Sequence, residues 1–225
     1  LMPAGVYRAQ APCPLHGVSE DESIASIERI FKNDAQPQDI AAIIIEPVQG
    51  EGGFYVASPS FLQALRKICD QHGILLICDE IQSGFCRTGK TFAIEYSGVE
   101  PDIMTLAKSL AGGFPLSAVV GKAAIMNAAK PGLGGTYAGS PIACAAALAV
   151  LTVIEEERLN QQALAQGEQI KARLHQLAER FDCIGDIRGP GAMVAMELVK
   201  GRDASQPAPD LTKRLVAEAG KRGLV

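Results

Sequence analysis

The sequence lacks the features that would place a protein in a membrane or on nucleic acid. No apolar run reaches the roughly 20 residues that a membrane-spanning helix needs, and the first residues, LMPAGVYRAQ, have neither the basic region nor the apolar core of a signal peptide. Positive charge is not in excess, since 21 lysines and arginines stand against 25 aspartates and glutamates. Phosphate backbones and anionic lipids attract basic surfaces. We therefore predict a cytoplasmic protein that acts on small molecules and has no nucleic-acid or membrane partner.

Motifs for disulfide bonds and metal binding are also missing. The six cysteines include no C-x-x-C pair, and Cys69, Cys78 and Cys144 lie within apolar segments, which favours reduced and mostly buried thiols. The three histidines are scattered without the spacing of metal ligands. What the sequence does contain is 48% hydrophobic residues in a chain of 225, enough to bury one substantial core and a second small domain.

Four short apolar segments predict the strands of a sheet. AAIIIE at 41–46, ILLICD at 74–79 and IMTLAK at 103–108 are apolar without period-two alternation, as expected of parallel strands covered on both faces. SAVVG at 117–121 predicts a fourth strand, and apolar residues at helical spacing over 60–73 predict a helix between the first two. The pattern indicates an open α/β sheet whose parallel strands are joined by helical crossovers.

Further helices are predicted on both sides of these strands. Ser19 and Glu22 have the spacing of a capping box, which indicates a helix over about 20–33. Two long segments with helical patterning fill 141–181 and lead away from the sheet. Beyond them, DIRGPGAMVAMELV has strand character, GRDASQPAPD predicts a polar loop, and a last helix begins at Leu211.

An ionisable residue ends each predicted parallel strand: Glu46, Asp79 and Lys108. Any one of them could be a charge at a strand end that reaches solvent. The carboxyl ends of parallel strands meet at one edge of a sheet, and all three residues adjoin the glycine-rich segments EPVQGEGGF, SGFCRTG and SLAGGFP, so together they predict a site. A lysine can bind an aldehyde covalently and a carboxylate can keep a pyridinium nitrogen protonated. Pyridoxal 5'-phosphate requires that pair.

Four motifs then identify a family. EPVQGEGG, ICDEIQSGFCRTG, TLAKSLAGGFPL and GLGGTYAGSP resemble, in order and spacing, those of class III pyridoxal-phosphate aminotransferases, and the resemblance covers essentially the whole chain. It implies the α/β fold of the fold type I transferases. On that basis 1–140 is part of a cofactor-binding large domain with a mostly parallel sheet and flanking helices. Residues 141–181 are then connecting helices, and 182–225 begin a small C-terminal α+β domain.

The resemblance implies five cofactor contacts. Lys108 resembles the lysine that binds the aldehyde of pyridoxal phosphate and then moves a proton at the substrate carbon. Asp79 matches the acid that pairs with the pyridine nitrogen, Ile81 the residue that packs on the ring, and Gln82 the one that hydrogen-bonds its phenolic oxygen. Thr136 matches a threonine that binds the phosphate of a neighbouring subunit, which implies a homodimer or larger homo-oligomer.

Two glutamates complete the expected site. Glu46 is expected near the cofactor at the end of its strand. Glu51 corresponds to a gate residue, which pairs with an arginine when an ω-amino substrate binds and releases that arginine to the second carboxylate of glutamate. For the neighbouring residues we favour structural roles: Glu80 as a salt-bridge partner, Arg87 as a support of its own loop, and the nearby cysteines as unreactive thiols.

The form GGTYAG favours the family branch that acts on 4-aminobutyrate. The predicted reaction transfers its amino group to 2-oxoglutarate and gives succinic semialdehyde and glutamate. Another class III enzyme, of the 5-aminovalerate or ornithine type, a racemase of the same fold, or a segment that only folds and dimerises remain alternatives. The family's upstream phosphate turn, stacking aromatic and substrate arginine, and its downstream gate arginine, are not found, so we expect an interior segment that is incomplete for turnover.

Overall fold

The computed structural model describes residues 5–128 and 134–224. The described strands are β1 (Ala42–Ile45), β2 (Leu75–Asp79), β3 (Ile103–Leu106), β4 (Ala118–Gly121), β5 (Ile184–Arg188), β6 (Ala195–Lys200) and β7 (Asp203–Pro207). The described α-helices are α1 (Glu20–Asn33), α2 (Pro59–His72), α3 (Ala123–Met126), α4 (Pro141–Glu156), α5 (Leu159–Ala178) and α6 (Pro209–Lys221).

The first sheet has the order β1-β2-β3-β4. Its first three strands are parallel, while β4 runs antiparallel to β3. This confirms a mostly parallel α/β sheet with flanking helices. The prediction of helical crossovers is right for β1 to β2, which α2 joins, and wrong for β2 to β3, where only the 3-10 helix Ala93–Ser97 lies between the strands. Glycines at 84, 89 and 98 break that connection into turns, so no longer helix can form there.

Helices α1 and α2 cover one face of this sheet. Their apolar residues form a buried cluster with β1 and β2, made of Ile27, Phe61, Leu65, Cys69, Ile74 and Leu76. Ile43 and Ile45 of β1 pack against this cluster, whereas Ile44 between them points to the opposite face and is 61% exposed. The prediction that β1 is covered on both faces is therefore wrong for this chain, because α1 and α2 lie on one side only.

The helix starts follow their capping residues. In α1, Ser19 Oγ accepts a hydrogen bond from the Glu22 amide at 3.2 Å, and the Glu22 carboxylate accepts one from the Ser19 amide at 2.8 Å. This confirms the predicted capping box. In α2 the cap is Ser58, whose Oγ accepts from the Phe61 amide at 3.1 Å, so the helix begins slightly earlier than the sequence pattern indicated.

The C-terminal part forms a second, antiparallel sheet in the order β5-β6-β7. The segment predicted as one stretch of strand character is split into β5 and β6, and the predicted polar loop contains β7. Gly201 and Arg202 both have positive φ, at 60° and 65°, so the chain reverses within a tight turn and β7 pairs at once with β6. Helices α4 and α5 occupy the predicted connecting region, while the division into domains stays a prediction.

All six cysteines are free thiols, as the sequence indicated. Cys69, Cys78 and Cys86 are buried, but Cys144 is only partly so. Within the described ranges, no helix combines the length and apolarity needed to cross a bilayer.

Candidate active site

Three neighbouring strands deliver ionisable residues to one edge of the first sheet. Glu46 follows β1 directly, Asp79 is the last residue of β2, and Lys108 lies two residues after β3. The parallel register places Asp79 opposite Thr105 of β3, so the two strands end almost level. This common edge is where an open α/β sheet binds its ligands.

The backbone around Lys108 holds an uncommon conformation. Lys108 opens a 3-10 helix that ends at Ala111, and its φ is 43°, in the left-handed region. For a residue other than glycine this costs about 1 to 3 kcal/mol, and such strain concentrates at functional sites. The side chain is exposed, and Nζ donates a hydrogen bond to Gln82 Oε1 at 2.9 Å. The amine is therefore accessible and oriented by one neutral partner.

Asp79 is fixed by the chain that follows it. Its Oδ1 accepts a hydrogen bond from the Ile81 amide at 3.0 Å, a local turn that aspartate favours. The contact ties the direction of the carboxylate to the turn that also carries Gln82. Asp79, Ile81 and Gln82 are all partly buried, so the group lies in a recess that is still open to solvent.

Glu46 organises the loop after β1. Its Oε2 accepts a hydrogen bond from the Gly50 amide at 2.8 Å. A Cβ atom on Gly50 would lie 1.9 Å from Gln82 Oε1, so the glycine leaves room for the amide that faces Lys108. Through these contacts the structure joins Glu46, Gly50, Gln82 and Lys108 into one chain.

Glu51 and Thr136 take no part in these contacts or in the turn that carries Asp79 and Ile81. Glu51 is exposed at the tip of the same loop, and Thr136 is exposed in a turn that begins at Thr136 and ends at Gly139. Next to it, Tyr137 is 88% exposed. A side chain that serves a neighbouring subunit has to be accessible, and Thr136 is. The gate role of Glu51 and the cofactor role of Thr136 stay predictions, as do the roles of the other site residues, Glu46, Asp79, Ile81, Gln82 and Lys108.

The neighbouring residues show two departures from the sequence interpretation. The prediction that Glu80 is a salt-bridge partner is wrong. Glu80 is completely buried, and its carboxylate accepts hydrogen bonds from Ser83 Oγ at 2.6 Å and from the Ile94 amide at 2.8 Å. Burial raises the pKa of Glu80. Arg87 does more than support its own loop, because its Nη2 donates to Ser109 Oγ at 3.0 Å, beside Lys108.

The two cysteines near the site, Cys78 and Cys86, have unreactive thiols. Burial raises the pKa of Cys78 to about 12 and also raises that of Cys86. A thiol of this kind remains protonated at neutral pH, and the thiolate is the nucleophilic form. This agrees with the structural role favoured from the sequence.

Sequence patterns did not reveal the contacts that support the site from a distance. Arg87 and Ser109 are 22 residues apart, and both line a mostly apolar cavity of about 550 Å³ against α4 and α5. Arg188 of β5 donates to the Gly53 carbonyl, 135 residues earlier in the chain. The sequence held no signal for either pair, since neither spacing follows from a local pattern.

The donor set fits pyridoxal phosphate. An accessible amine suits its aldehyde, a fixed carboxylate suits its ring nitrogen, and the Gln82 amide, for which Gly50 makes room, suits its phenolic oxygen. In the described ranges there is no group of acidic, histidine or cysteine side chains arranged to hold a metal ion.

Known proteins resemble this chain throughout its length. It is 65% identical to the 5-aminovalerate aminotransferase of Pseudomonas aeruginosa and 60% identical to the 4-aminobutyrate aminotransferase of Escherichia coli, covering 100% of this chain and 53% of each relative. A crystal structure of a Bacillus anthracis aminotransferase matches with a TM-score of 0.90 at 31% identity, over 100% of this chain and 53% of that one. The chain thus spans about half the length of the curated relatives it matches.

The family model for class-III aminotransferases matches residues 1–225, which is every position of the sequence. A match of this extent agrees with the parallel order of β1, β2 and β3 and with the three motifs that lie at the ends of these strands. The chain belongs to the class-III aminotransferase family.

Proposed function

We propose that this chain forms the cofactor-binding centre of an enzyme that transfers the amino group of 4-aminobutyrate to 2-oxoglutarate, giving succinic semialdehyde and glutamate. The observation that carries the proposal is the accessible Lys108 amine, hydrogen-bonded to Gln82 at 2.9 Å, at the same sheet edge as the fixed carboxylate of Asp79. Class III aminotransferases use these residue types to bind pyridoxal phosphate. The family and the four motifs support the same reaction.

Each residue has a distinct part in this proposal. Bound pyridoxal phosphate supplies an electron sink for the substrate carbon. Lys108 would hold the aldehyde of the cofactor, and its amine would also move a proton at the amino-bearing carbon of the substrate. Asp79 keeps the ring nitrogen protonated through a charge-assisted hydrogen bond, worth about 1.5 to 3 kcal/mol. Ile81 would pack on the ring, and Gln82 would bind its phenolic oxygen.

A second donor, 5-aminovalerate, is favoured by the relative that is 65% identical. It differs from 4-aminobutyrate by one methylene group, and both carry one carboxylate and a terminal amine. A methylene in an apolar pocket changes binding by about 1 to 3 kcal/mol. Both donors belong to one proposed substrate class because they share a single carboxylate and a terminal amine, and Glu51 would serve as the gate that also admits glutamate.

The proposed working unit is a homodimer or larger homo-oligomer, with Thr136 reaching the phosphate in a neighbouring subunit. The exposure of Thr136 and Tyr137 supports this arrangement. Co-expression of Lys108→Ala and Thr136→Ala subunits would place both lesions in one site of a mixed dimer and leave the other site intact. Activity above that of either homodimer supports sharing, and no gain in confirmed mixed dimers refutes it.

The central test uses the protein expressed from its complete gene. It is loaded with pyridoxal phosphate, reduced with borohydride, digested and analysed by mass spectrometry. We expect the label on Lys108 and none in a Lys108→Ala control. Single-turnover rates with 4-aminobutyrate, 5-aminovalerate and ornithine then rank the donors. A label on another lysine, or equal inactivity with all ω-amino donors, would overturn the proposal.

A further inference from the structure

A single arginine of the C-terminal sheet holds the loop that carries Glu51. Arg188 lies at the end of β5, and its side chain is 17% exposed. Its Nε donates a hydrogen bond to the Gly53 carbonyl at 2.8 Å, and the guanidinium carbon lies 4.0 Å from the centre of the Tyr55 ring. A planar guanidinium can donate and stack in this way at the same time.

Acidic and aromatic partners fix the orientation of Arg188. Its Nη1 lies 2.7 Å from Asp186 Oδ2 and 2.7 Å from Glu197 Oε2. The Tyr55 hydroxyl donates to the same Glu197 oxygen at 2.9 Å, and His16 Nε2 is 3.1 Å from the other one. Because the positive charge is compensated and the ring is hydrogen-bonded, the guanidinium has one well-defined position against the loop.

The loop over 49–55 is closed at its base by the Gln49 amide, which donates to the Tyr55 carbonyl at 2.9 Å, and side chains hold it on either side of Glu51. On one side, Glu46 accepts a hydrogen bond from the Gly50 amide at 2.8 Å. On the other, Gly53 has a φ of 111° and offers its carbonyl to Arg188. The Gly53 amide also donates to the Gly50 carbonyl at 3.2 Å. The exposed Glu51 side chain therefore projects from a short turn that is held by Glu46, the residue after β1, on one side and by Arg188 of β5 on the other.

We propose that Arg188 is a positioning residue for substrate selection: it anchors the loop over 49–55 and so holds Glu51 in place. This inference rests on the proposed function, which assigns the gate to Glu51. A carboxylate on a fixed turn loses less conformational freedom when it pairs with a cation than one on a loose loop. Lysine at 188 would keep a positive charge but could not both donate from Nε and stack on Tyr55.

Arg188→Lys is the test, in the protein expressed from its complete gene. We expect amide hydrogen exchange in the peptide over 49–55 to speed up by about tenfold. We also expect the ratio of single-turnover rates for 4-aminobutyrate over glutamate to fall by about five- to tenfold. Arg202→Lys is the matched control, since Arg202 lies in the turn between β6 and β7 of the same sheet, is 60% exposed, and pairs with the exposed Asp182. It should change neither quantity.

Glu51→Gln separates this inference from the proposed function. If Arg188 acts through Glu51, Arg188→Lys should leave the rate ratio unchanged in the Glu51→Gln background. Suppose that Glu51→Gln alters the rate ratio but Arg188→Lys leaves either the rate ratio or the amide exchange over 49–55 unaltered. That result would overturn only the role of Arg188. An unaltered ratio in Glu51→Gln would refute the gate itself and the selection role with it.

A milder variant covers the case in which Arg188→Lys does not fold. Tyr55→Phe keeps the ring beside the guanidinium and removes only the hydroxyl, which bonds Glu197 and His16. We expect amide exchange over 49–55 to speed up and the rate ratio for 4-aminobutyrate over glutamate to fall, both by smaller factors than in Arg188→Lys. Exchange and rate ratio at wild-type values in this variant would overturn the proposal.

Discussion

Replacing Asp102 with asparagine is expected to weaken the frame on which the site is built. Asp102 precedes β3, at the end of the strand remote from Lys108, and is 6% exposed. Its carboxylate accepts hydrogen bonds from Arg66 Nη1 at 2.7 Å, the Leu76 amide at 2.8 Å and Lys122 Nζ at 2.8 Å. Arg66 belongs to α2, Leu76 to β2, and Lys122 follows β4. One carboxylate therefore connects two strands of the first sheet with a helix that packs on it.

The magnitude follows from the pKa of that carboxyl group. Although burial acts to raise it, hydrogen bonds from Lys122, the Leu76 amide and Arg66 hold the pKa of Asp102 at about 2, against 3.8 for an ordinary aspartate. One pKa unit corresponds to about 1.4 kcal/mol, so the ionised group stabilises the fold by about 2 to 2.5 kcal/mol. The folded pKa is depressed, so this stability is present above about pH 4 and is lost as the pH falls towards 2.

Urea unfolding of the cofactor-free protein measures this effect. At pH 7, Asp102→Asn should lower the free energy of unfolding by about 2 to 2.5 kcal/mol. Asp70→Asn is the control, because Asp70 pairs with the same Arg66 at 2.8 Å but is 67% exposed, and it should cost less than about 0.5 kcal/mol. Equal losses in both variants, or a difference from wild type that does not shrink between pH 4 and pH 2, would refute the reasoning.

Three further predictions concern the site and its surroundings. Gly50→Ala places a methyl group 1.9 Å from Gln82 Oε1 and should weaken pyridoxal-phosphate binding by about tenfold in an absorbance titration, whereas Gly52→Ala, which meets only the flexible Gln49 side chain, should not. Asp79→Asn should still bind the cofactor and lose most single-turnover activity, and an undiminished rate would contradict its role. Burial raises the pKa of Glu80, so Glu80 opposes folding as the pH rises above about 4.5. The urea midpoint of Glu80→Gln, relative to that of wild type, should therefore rise between pH 4 and pH 7. A difference between the two midpoints that stays constant would contradict a raised pKa of Glu80.

Much of the first sheet could be predicted because its signals are local. The apolar runs of β1, β2 and β3, the capping box at Ser19 and Glu22, and the strand-end residues Asp79 and Lys108 all depend on neighbours within a few positions. Hydrophobic periodicity, capping and turn chemistry act over that range. The sequence by itself therefore determined the parallel strands and the residues delivered to their ends.

Only the tertiary structure decided which of these residues meet and what holds them. The left-handed backbone at Lys108, the burial of Glu80 against the Ile94 amide, and the reach of Arg188 to Gly53 depend on packing between distant segments. The exposure of Ile44 likewise depends on which helices cover β1. Sequence patterns record the environment of a residue along one element, whereas a contact across 135 residues exists only after the elements have packed. That is why the positions of Glu46, Asp79 and Lys108 at the strand ends could be predicted and the contacts that support them could not.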